Sequence, residues 1–452
     1  MLTTTVSSHA GAVSKAKNDY VTLTTISMRD STGISGLADT DTIPRSHWGD
    51  ARSAPTRPRR SAAELAELRK PGTLAPDLRT GVPGVRGATD FKPVRDPVTH
   101  AECKNYFLNV PSPAPGYWYK NRFNACHGTT LLSEHFVVRN GRPTKVGAAL
   151  VDVTFIVSMQ ENARTAAVSV NLTNWRFIET YPTTNAWTFG ANCWDIDASG
   201  PSCDPSTVSR SDTPGAWQAD GDHGATVTIP TTGVVQPESH GDEQRQHYDF
   251  NVYFYLPSSP GANTFYDGPN AIGRCDQART AVSPNYARAS DCVFHQQAGI
   301  FTLDASDGAV RESALLIRDA QNNVAATKPG TPGTWIPGKL GTPYPLHRLY
   351  YDTVGRDNNR SAAIAKCVEH FGPNYTQRND PNEPTATNDC DEYPFSATYQ
   401  GVQMTINAGG NRSYAVRPVH SAQNQNAGNQ LGQYLADDHI LEEDAYYVNV
   451  IN

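Results

Sequence analysis

Short segments in which apolar and polar residues alternate constrain the fold of this chain more than any other feature. The clearest are AALVDVTFIVSM, TAAVSVNL, GATVTIP, HYDFNVYFYLP and AGIFTLD. Because successive side chains of a β-strand point to opposite faces, a period of two predicts strands with one buried face. No long helical pattern interrupts them between residues 100 and 325. The pattern therefore predicts an antiparallel β domain, with a sandwich as the expected architecture.

Eight cysteines fall into sequential pairs that enclose loops, and no CxxC or Cys/His spacing typical of zinc sites occurs. The order predicts four local disulfides; the alternative is a set of buried free thiols in a reducing compartment. Disulfides imply export, so we expect a secreted or extracellular protein. The predicted pairs are Cys103 with Cys126, Cys193 with Cys203, Cys275 with Cys292, and Cys367 with Cys390.

The first ninety-nine residues show little apolar periodicity and are predicted to be a low-complexity or disordered leader. Within it, SAAELAELRK predicts a short helix with Ser61 as N-cap and Glu64 completing a capping box. The first twenty residues lack the apolar core of a signal peptide, which leaves the export route open. No run of 18 apolar residues occurs, so no membrane span is expected.

A stretch dense in Gly and Pro, TKPGTPGTWIPGKLGTPYP, predicts a domain boundary. It separates a β-rich domain at residues 100–335 from a C-terminal domain at residues 336–452. In the latter, the pattern predicts the order helix, strand, strand, helix, strand, with the second helix starting at Asn426. The fold class expected for the whole chain is α+β.

Two carboxylates stand side by side in the stretch NDCDEYPFSATYQG at residues 388–401. On a regular strand Asp391 and Glu392 point to opposite faces, so both reach one site only if the strand bends. Pro394 ends the strand, and a disulfide from Cys390 to the preceding helix would hold one carboxylate in place, as a catalytic base requires.

An amide-rich stretch, HSAQNQNAGNQLGQYL, follows some thirty residues later. An Asn carbonyl oxygen is a suitable ligand for Mg²⁺ or Mn²⁺, which often take only one or two protein ligands beside water and phosphate oxygens. A carboxylate, a divalent ion and a phosphodiester together make a hydrolytic site. The net charge of −7 argues against DNA binding by phosphate neutralisation alone, so any contact with DNA must be local and aided by a metal.

These two motifs and the closing strand resemble the deoxyribonuclease domain of the NucA/NucB family. The resemblance rests on Asp391, Glu392, Tyr393, Pro394 and Gly401, and then on Asn424 followed by Asn426, Ala427 and Gly428. It implies a small ββα-metal nuclease domain in which two strands and a helix hold one divalent ion. The segment before it is similar to N-terminal extensions of such domains in actinobacteria.

The resemblance also implies roles for individual residues. Glu392 is expected to be the general base, with Asp391 as an acidic neighbour that holds it or binds the metal. Asn424 is expected to bind the metal, and charge and position suggest Arg417 as a phosphate ligand. The sequence departs from the family pattern at Gln423, where Asp is common.

The sequence therefore predicts an exported endonuclease that hydrolyses DNA with low sequence specificity and needs a divalent metal. One alternative is a non-catalytic surface or adhesion protein with a degenerate nuclease domain. Another is a nuclease toxin, which would require an immunity protein as partner. With an unperturbed pKa of about 4.3, Glu392 would support activity near pH 5.5 unless burial raises this pKa, whereas a base such as His420 would fail there.

Overall fold

The structure of the chain is a computed structural model. Within the ranges it describes, no helix is both long enough and apolar enough to cross a membrane. The described residues are 19–41, 51–52, 60–74, 96–110, 116–159, 164–196, 209–220, 222–228, 240–241, 243–258, 262–278, 290–378 and 380–452.

Two antiparallel sheets form the β domain. Its strands are β1 (Asp19–Ile26), β2 (Ala51–Arg52), β3 (Trp118–Tyr119), β4 (Asn124–Arg139), β5 (Arg142–Met159), β6 (Thr165–Glu179), β7 (Trp187–Asp195), β8 (Ser209–Asp212), β9 (Asp222–Thr228), β10 (Gln244–Ser258), β11 (Ala262–Gln277) and β12 (Ser290–Val293). Its helices are α1 (Met28–Ser31), α2 (Ala62–Arg69), α3 (His100–Asn109) and α4 (Pro214–Asp220). The first sheet has the order β1-β4-β5-β6-β9 with β3 beside β4, and the second has the order β12-β11-β10-β7-β8 with β2 beside β11.

One apolar core lies between the two sheets and confirms the predicted sandwich. Phe155 of β5 packs against Phe254 of β10 with their ring centroids 5.8 Å apart. The outer face of β5 is covered as well, because Ile156 packs against α3 and Leu150 packs against Ile34. Because both faces of β5 are buried, the sequence in the middle of this strand is almost continuously apolar.

Part of the predicted leader belongs to this sandwich. β1 pairs with β4 along its whole length, and Val21 and Leu23 are buried in the core. The segment DYVTLTTI does alternate, but threonine occupies most of its polar positions, and its short pattern stands alone in a polar region. For residues 19–41 the structure therefore replaces the predicted disorder with a strand and a short helix.

The predicted short helix is confirmed as α2, including its capping box. The Ser61 hydroxyl accepts from the Glu64 N–H, and the Glu64 carboxylate accepts from the Ser61 N–H. Side-chain contacts attach this segment to the sandwich: Arg60 pairs with the buried carboxylate of Asp249, and His295 donates from Nε2 to the Leu68 carbonyl.

Three of the four predicted disulfides are confirmed. The Cα atoms are 6.0 Å apart in Cys103–Cys126, 4.0 Å apart in Cys275–Cys292 and 6.0 Å apart in Cys367–Cys390. Cys193 is also disulfide-bonded, and its predicted partner Cys203 lies outside the described residues.

The C-terminal part mixes helices with two small sheets, which confirms the α+β class. Its elements are β13 (Gly299–Asp304), α5 (Arg311–Asn322), β14 (Leu346–His347), α6 (Thr353–Phe371), β15 (Asn388–Tyr393), α7 (Val402–Ala408), β16 (Ala415–His420), α8 (Ser421–Asp437) and β17 (Ala445–Ile451). β17 pairs in parallel with β13 and antiparallel with β14, while β15 and β16 form a separate antiparallel pair. Helix α8 begins at Ser421 rather than at Asn426, because the His420 side chain caps it by accepting from the Ala422 N–H.

Two elements that precede the predicted boundary pack with elements that follow it. β13 pairs with β17, and α5 shares an apolar cluster with α8. The Gly/Pro-rich stretch also lies along this unit, with bridges from Lys328 to Val416 and from Lys339 to Val448. Gly338 has φ of 96°, and a Cβ there would lie 2.2 Å from the Tyr393 hydroxyl, so only glycine fits. We propose that the C-terminal domain starts near Gly299.

A buried ion-pair cluster joins the C-terminal domain to the sandwich. Asp444, just before β17, accepts from Arg122 at 2.7 Å and from Arg274 at 2.6 Å and 3.0 Å. Arg274 also donates to Asp276 at 2.8 Å. Burial alone would raise the pKa of Asp444, but the charges of Arg274 and Arg122 hold it far below its usual value. The buried ion pairs of Asp444 with Arg122 and Arg274 therefore join the two domains.

Candidate active site

The acidic motif lies on a two-stranded sheet that is covered on both faces. β15 pairs with β16 without any register shift, from Asn388 opposite His420 to Tyr393 opposite Ala415. Asp391 and Glu392 therefore point to opposite faces, as expected for a regular strand. Both are buried, with 8% and 7% of their surface exposed.

Asp391 lies on the face that α5 and α8 cover. Tyr393, two residues further on, packs with buried side chains of both helices. Its hydroxyl accepts from Gln321 Nε2 of α5 at 2.9 Å. The hydroxyl of Ser313, also on α5, lies close enough to Asp391 to lower its pKa. The Asp391 carboxylate is thus directed toward the space between the sheet and these two helices.

Glu392 lies on the other face, toward α6. Cys390, two residues earlier, is bonded to Cys367 of α6. Val416, which stands opposite Glu392, packs in one apolar cluster with Cys367 and Ala363. The disulfide therefore attaches the strand to α6 on the side that carries Glu392.

Both carboxyl groups hold their protons more tightly than usual. Burial raises the pKa of Asp391 to about 6. Burial, and then the charge of Asp391, raise the pKa of Glu392 to about 7. The charge of Arg360 and hydrogen bonds from Ser396 act in the opposite direction on Glu392 but do not offset the rise. Both carboxyl groups therefore titrate closer to neutral pH than ordinary aspartate and glutamate side chains. Activity near pH 5.5 is expected only if the pKa of Glu392 is unshifted. Because burial raises this pKa, that expectation no longer holds.

One carboxylate oxygen of the pair has no hydrogen-bond partner within the described part of the chain. Asp391 Oδ1 accepts from the Glu392 N–H at 2.9 Å, while Oδ2 is buried and accepts from no described residue. The nearby Ser313 hydroxyl influences the pKa of Asp391, but its geometry falls short of a hydrogen bond and it is also unpartnered among the described residues. An unsatisfied buried carboxylate oxygen is costly and is typical of functional sites.

The loop after β15 is held by α6. The peptide bond between Tyr393 and Pro394 is cis and ends the strand. Ser396, in the loop that follows, lies close enough to Glu392 to lower its pKa. Asn359 of α6, which is fully buried, donates to the carbonyls of Ser396 at 3.0 Å and Thr398 at 3.2 Å. Helix α6 thus positions the end of the motif through Asn359 and its start through the disulfide.

Asn424 lies in the first turn of α8, on the face that points to the sheet. It precedes buried Ala427 by three residues and buried Leu431 by seven, which is the spacing of one helix face. Asn424 itself is half-buried. The structure therefore places Asn424 on the same side of the sheet as Asp391, and Glu392 on the opposite side.

The position where the resemblance predicts an acid is engaged in a structural contact. Gln423 Oε1 accepts from the Glu312 N–H at 2.8 Å, in the first turn of α5. The Glu312 carboxylate in turn accepts from both terminal nitrogens of Arg378, at 2.8 Å and 3.2 Å, and from the His420 N–H. Gln423 thus connects α8 to α5 through its amide oxygen.

Two other predicted residues, Arg417 and His420, already form hydrogen bonds or ion pairs within the protein. Arg417 stands opposite Asp391 but donates to Asp319 of α5 at 2.8 Å. His420 caps α8 through Nδ1, and its Nε2 lies 3.0 Å from Glu383. Arg417 still lowers the pKa of Asp391 through its charge, yet its guanidinium is already paired.

Four residues that the structure describes around the pair were not predicted from the sequence: Ser313, Asn359, Arg360 and Ser396. Arg360 precedes Cys367 by seven residues, two turns of α6, so both lie on one helix face. That spacing, combined with the predicted Cys367–Cys390 bond, could have directed attention to it. The roles of Asn359 and Ser396 depend on how the loop folds back, which no local pattern reveals.

The oxygen donors on the Asp391 side fit a hard divalent ion with few protein ligands. The described residues contain no group of three or more His, Cys, Asp or Glu side chains that could hold a metal. The Asn424 amide oxygen remains as a candidate ligand on the face that also carries the unpartnered Asp391 Oδ2. Mg²⁺ and Mn²⁺ accept such a sparse set because water and phosphate oxygens complete their coordination.

The acidic motif lies within a stretch that matches a known family. Residues 345–449 match the family model Deoxyribonuclease NucA/NucB. The NucA/NucB domain includes the acidic pair, the cis-proline loop and Asn424, and it confirms the resemblance of the C-terminal motifs. The match covers less than half of the chain and does not extend to the sandwich. No curated protein and no solved structure is significantly similar to the chain.

Proposed function

We propose that this protein hydrolyses phosphodiester bonds of DNA at the Asp391–Glu392 site, with little sequence preference and with Mg²⁺ or Mn²⁺ as cofactor. The single observation that carries the proposal is the NucA/NucB domain, whose acidic motif coincides with a buried carboxylate pair of raised pKa. Perturbed, partly unsatisfied carboxyl groups of this kind are typical of catalytic sites.

We assign the general base to Asp391, where the sequence favoured Glu392. What supports this is the shared face of Asp391 and Asn424, together with the unpartnered oxygen of Asp391. A pKa of about 6 suits a base that works near neutral pH. Glu392, on the opposite face, is the second carboxylate of the motif. The contacts of α6 on its side of the strand help to hold the motif in position.

In the proposed reaction Asp391 removes a proton from a water molecule. The water oxygen forms a bond to phosphorus as the bond between phosphorus and the leaving sugar oxygen breaks. A proton from solvent completes the leaving hydroxyl, so each turnover consumes one water. Asn424 would hold the divalent ion, which when bound neutralises charge that develops on the phosphate oxygens.

Cleavage of plasmid DNA by the purified chain tests this function. We expect cutting with Mg²⁺ or Mn²⁺, none with EDTA, and strong loss in Asp391→Asn and Asn424→Ala. Asn429→Ala is the matched control, because Asn429 is exposed on the outer side of the same helix. Absence of cutting with every divalent ion would contradict the proposal.

Three disulfides in the described residues support an exported enzyme. A second candidate is a degenerate nuclease on a surface or adhesion protein. The observation that favours it is Gln423, whose amide is committed to α5 where the family commonly has an acid. A folded wild-type protein that neither cuts DNA nor binds Mn²⁺ would support this candidate.

A further inference from the structure

Arg360 differs from the other arginines near the acidic pair because it is exposed and no described residue forms a hydrogen bond or ion pair with it. Arg417 is paired with Asp319, and Arg378 is paired with Glu312. Arg356, one turn earlier on α6, stacks over the ring of Tyr350. Among the described residues, no hydrogen bond or ion pair engages Arg360, which is exposed to solvent.

Two fixed contacts set the distance of Arg360 from the acidic pair. Asn359, its neighbour, donates to the Ser396 carbonyl, and Ser396 lies close enough to Glu392 to lower its pKa. At the other end, Cys367 is bonded to Cys390, two residues before Glu392. Arg360 shares a helix face with Cys367 and lies about 10 Å from it along the axis. It therefore stands beside the C-terminal end of β15, and its charge acts on both Asp391 and Glu392.

We propose that Arg360 binds a backbone phosphate of the DNA strand that enters the site. Two buried carboxylates repel a polyanion, and the whole chain carries a net charge of −7. A free guanidinium next to them offers local attraction and a planar pair of donors that matches two phosphate oxygens. This inference rests on the proposed function, because it assumes that DNA reaches the Asp391–Glu392 site.

The test compares Arg360→Ala and Arg360→Lys with Lys366→Ala as control. Lys366 lies on the same helix, about 240° around the axis from Arg360, and pairs with Glu369 at 2.6 Å. Binding of a fluorescent DNA duplex is measured by anisotropy at several salt concentrations in the Asp391→Asn background, and cleavage is measured in the otherwise unaltered protein.

We expect Arg360→Ala to weaken DNA binding about tenfold at low salt and to reduce the slope of log affinity against log salt by about one. Arg360→Lys should restore the slope but not the full affinity, because lysine keeps the charge and loses the bidentate contact. Lys366→Ala should match the parent protein. All variants should unfold at the same temperature as the parent protein. If Arg360 had a purely structural role, its replacement would instead lower stability and leave the salt slope unchanged.

A parental salt slope and cleavage rate in a folded Arg360→Ala protein would overturn this inference and leave the proposed function standing. If the wild-type chain neither binds nor cuts DNA with any divalent ion, both proposals are overturned.

Discussion

The protein contains two groups of buried carboxylates whose pKa values move in opposite directions. At the domain junction, Asp444 is held far below its usual pKa by Arg274 and Arg122. On β15, Asp391 and Glu392 rise to about 6 and 7. Burial is the largest effect in both places and raises every one of these pKa values. The charges of Arg274 and Arg122 overcome it at Asp444, whereas at Glu392 the charge of Asp391 adds to it.

That difference separates a group that holds the fold together from one that is available for chemistry. At the junction every charge has a partner, since Arg122 and Arg274 both donate to Asp444. At the acidic pair the nearest cations are either engaged elsewhere, as Arg417 is, or exposed to solvent, as Arg360 is. Each group also adjoins a disulfide, Cys275–Cys292 at the junction and Cys367–Cys390 at the pair. Both regions are held firmly, and of these two groups, as far as the structure describes them, only the acidic pair keeps an unsatisfied carboxylate oxygen.

The largest expected effect is on cleavage by Asp391→Asn. Loss of a general base typically costs a factor of about 10² to 10⁴ in rate, while the shape of the side chain is preserved. Glu392→Gln should reduce the rate less, because its carboxyl lies on the face opposite Asn424. The measurement is the initial rate of plasmid nicking, with Glu369→Gln as an exposed control on α6. The reverse order, with Glu392→Gln the more severe, would return the base to the residue that the sequence favours.

At the junction the large effect should be on stability. In Asp444→Asn the amide cannot neutralise Arg274 and Arg122, and breaking a buried ion pair on one side costs about 3–5 kcal/mol. Asp319→Asn removes a half-exposed partner of Arg417 and should cost below about 1 kcal/mol. Urea denaturation followed by circular dichroism gives both free energies of unfolding. Equal costs for the two variants would show that the junction cluster is not what joins the domains.

Removing each disulfide sharpens the same comparison. The closed loops span 23 residues in Cys367–Cys390 and 17 residues in Cys275–Cys292, so replacing either pair with alanine should cost about 3 kcal/mol. Only the former pair attaches the acidic strand to α6, and its loss should also slow cleavage of DNA. Parallel denaturation and nicking assays on the two double variants test this. A similar loss of cleavage in both would mean that the disulfide near the pair acts through stability alone.

Most of the fold follows from local patterns, and the parts that do not follow have a physical reason. Alternation predicts the sandwich, and cysteine order predicts the disulfides that the described residues contain. The sequence does not predict β1, because its alternating pattern is short and threonine fills most of the polar positions. The sequence does not predict that β13 and α5 pack with the C-terminal elements. The Gly/Pro-rich stretch between them has the composition of a linker, although it packs against the C-terminal domain.

The site was predicted in part for similar reasons. Sequence and resemblance together direct attention to Asp391, Glu392 and Asn424, and strand alternation correctly separates the first two. Alternation alone does not say which face meets α8, since both faces of the two-stranded sheet are buried. The pairing of Arg417 with Asp319 was equally hidden, because it joins residues far apart in the chain.

The smallest expected effect concerns the coupling within the acidic pair itself. Because the charge of Asp391 helps to raise the pKa of Glu392, Asp391→Asn should lower that pKa, since the ionised form of Glu392 is no longer repelled. Burial remains, so the value should stay above that of an ordinary glutamate. Carbon-13 NMR titration of the glutamate carboxyls in metal-free protein with EDTA measures the shift, with Asp389→Asn as a control on the same strand. An unchanged titration of Glu392 would show that burial alone sets its pKa and that the two carboxylates act independently.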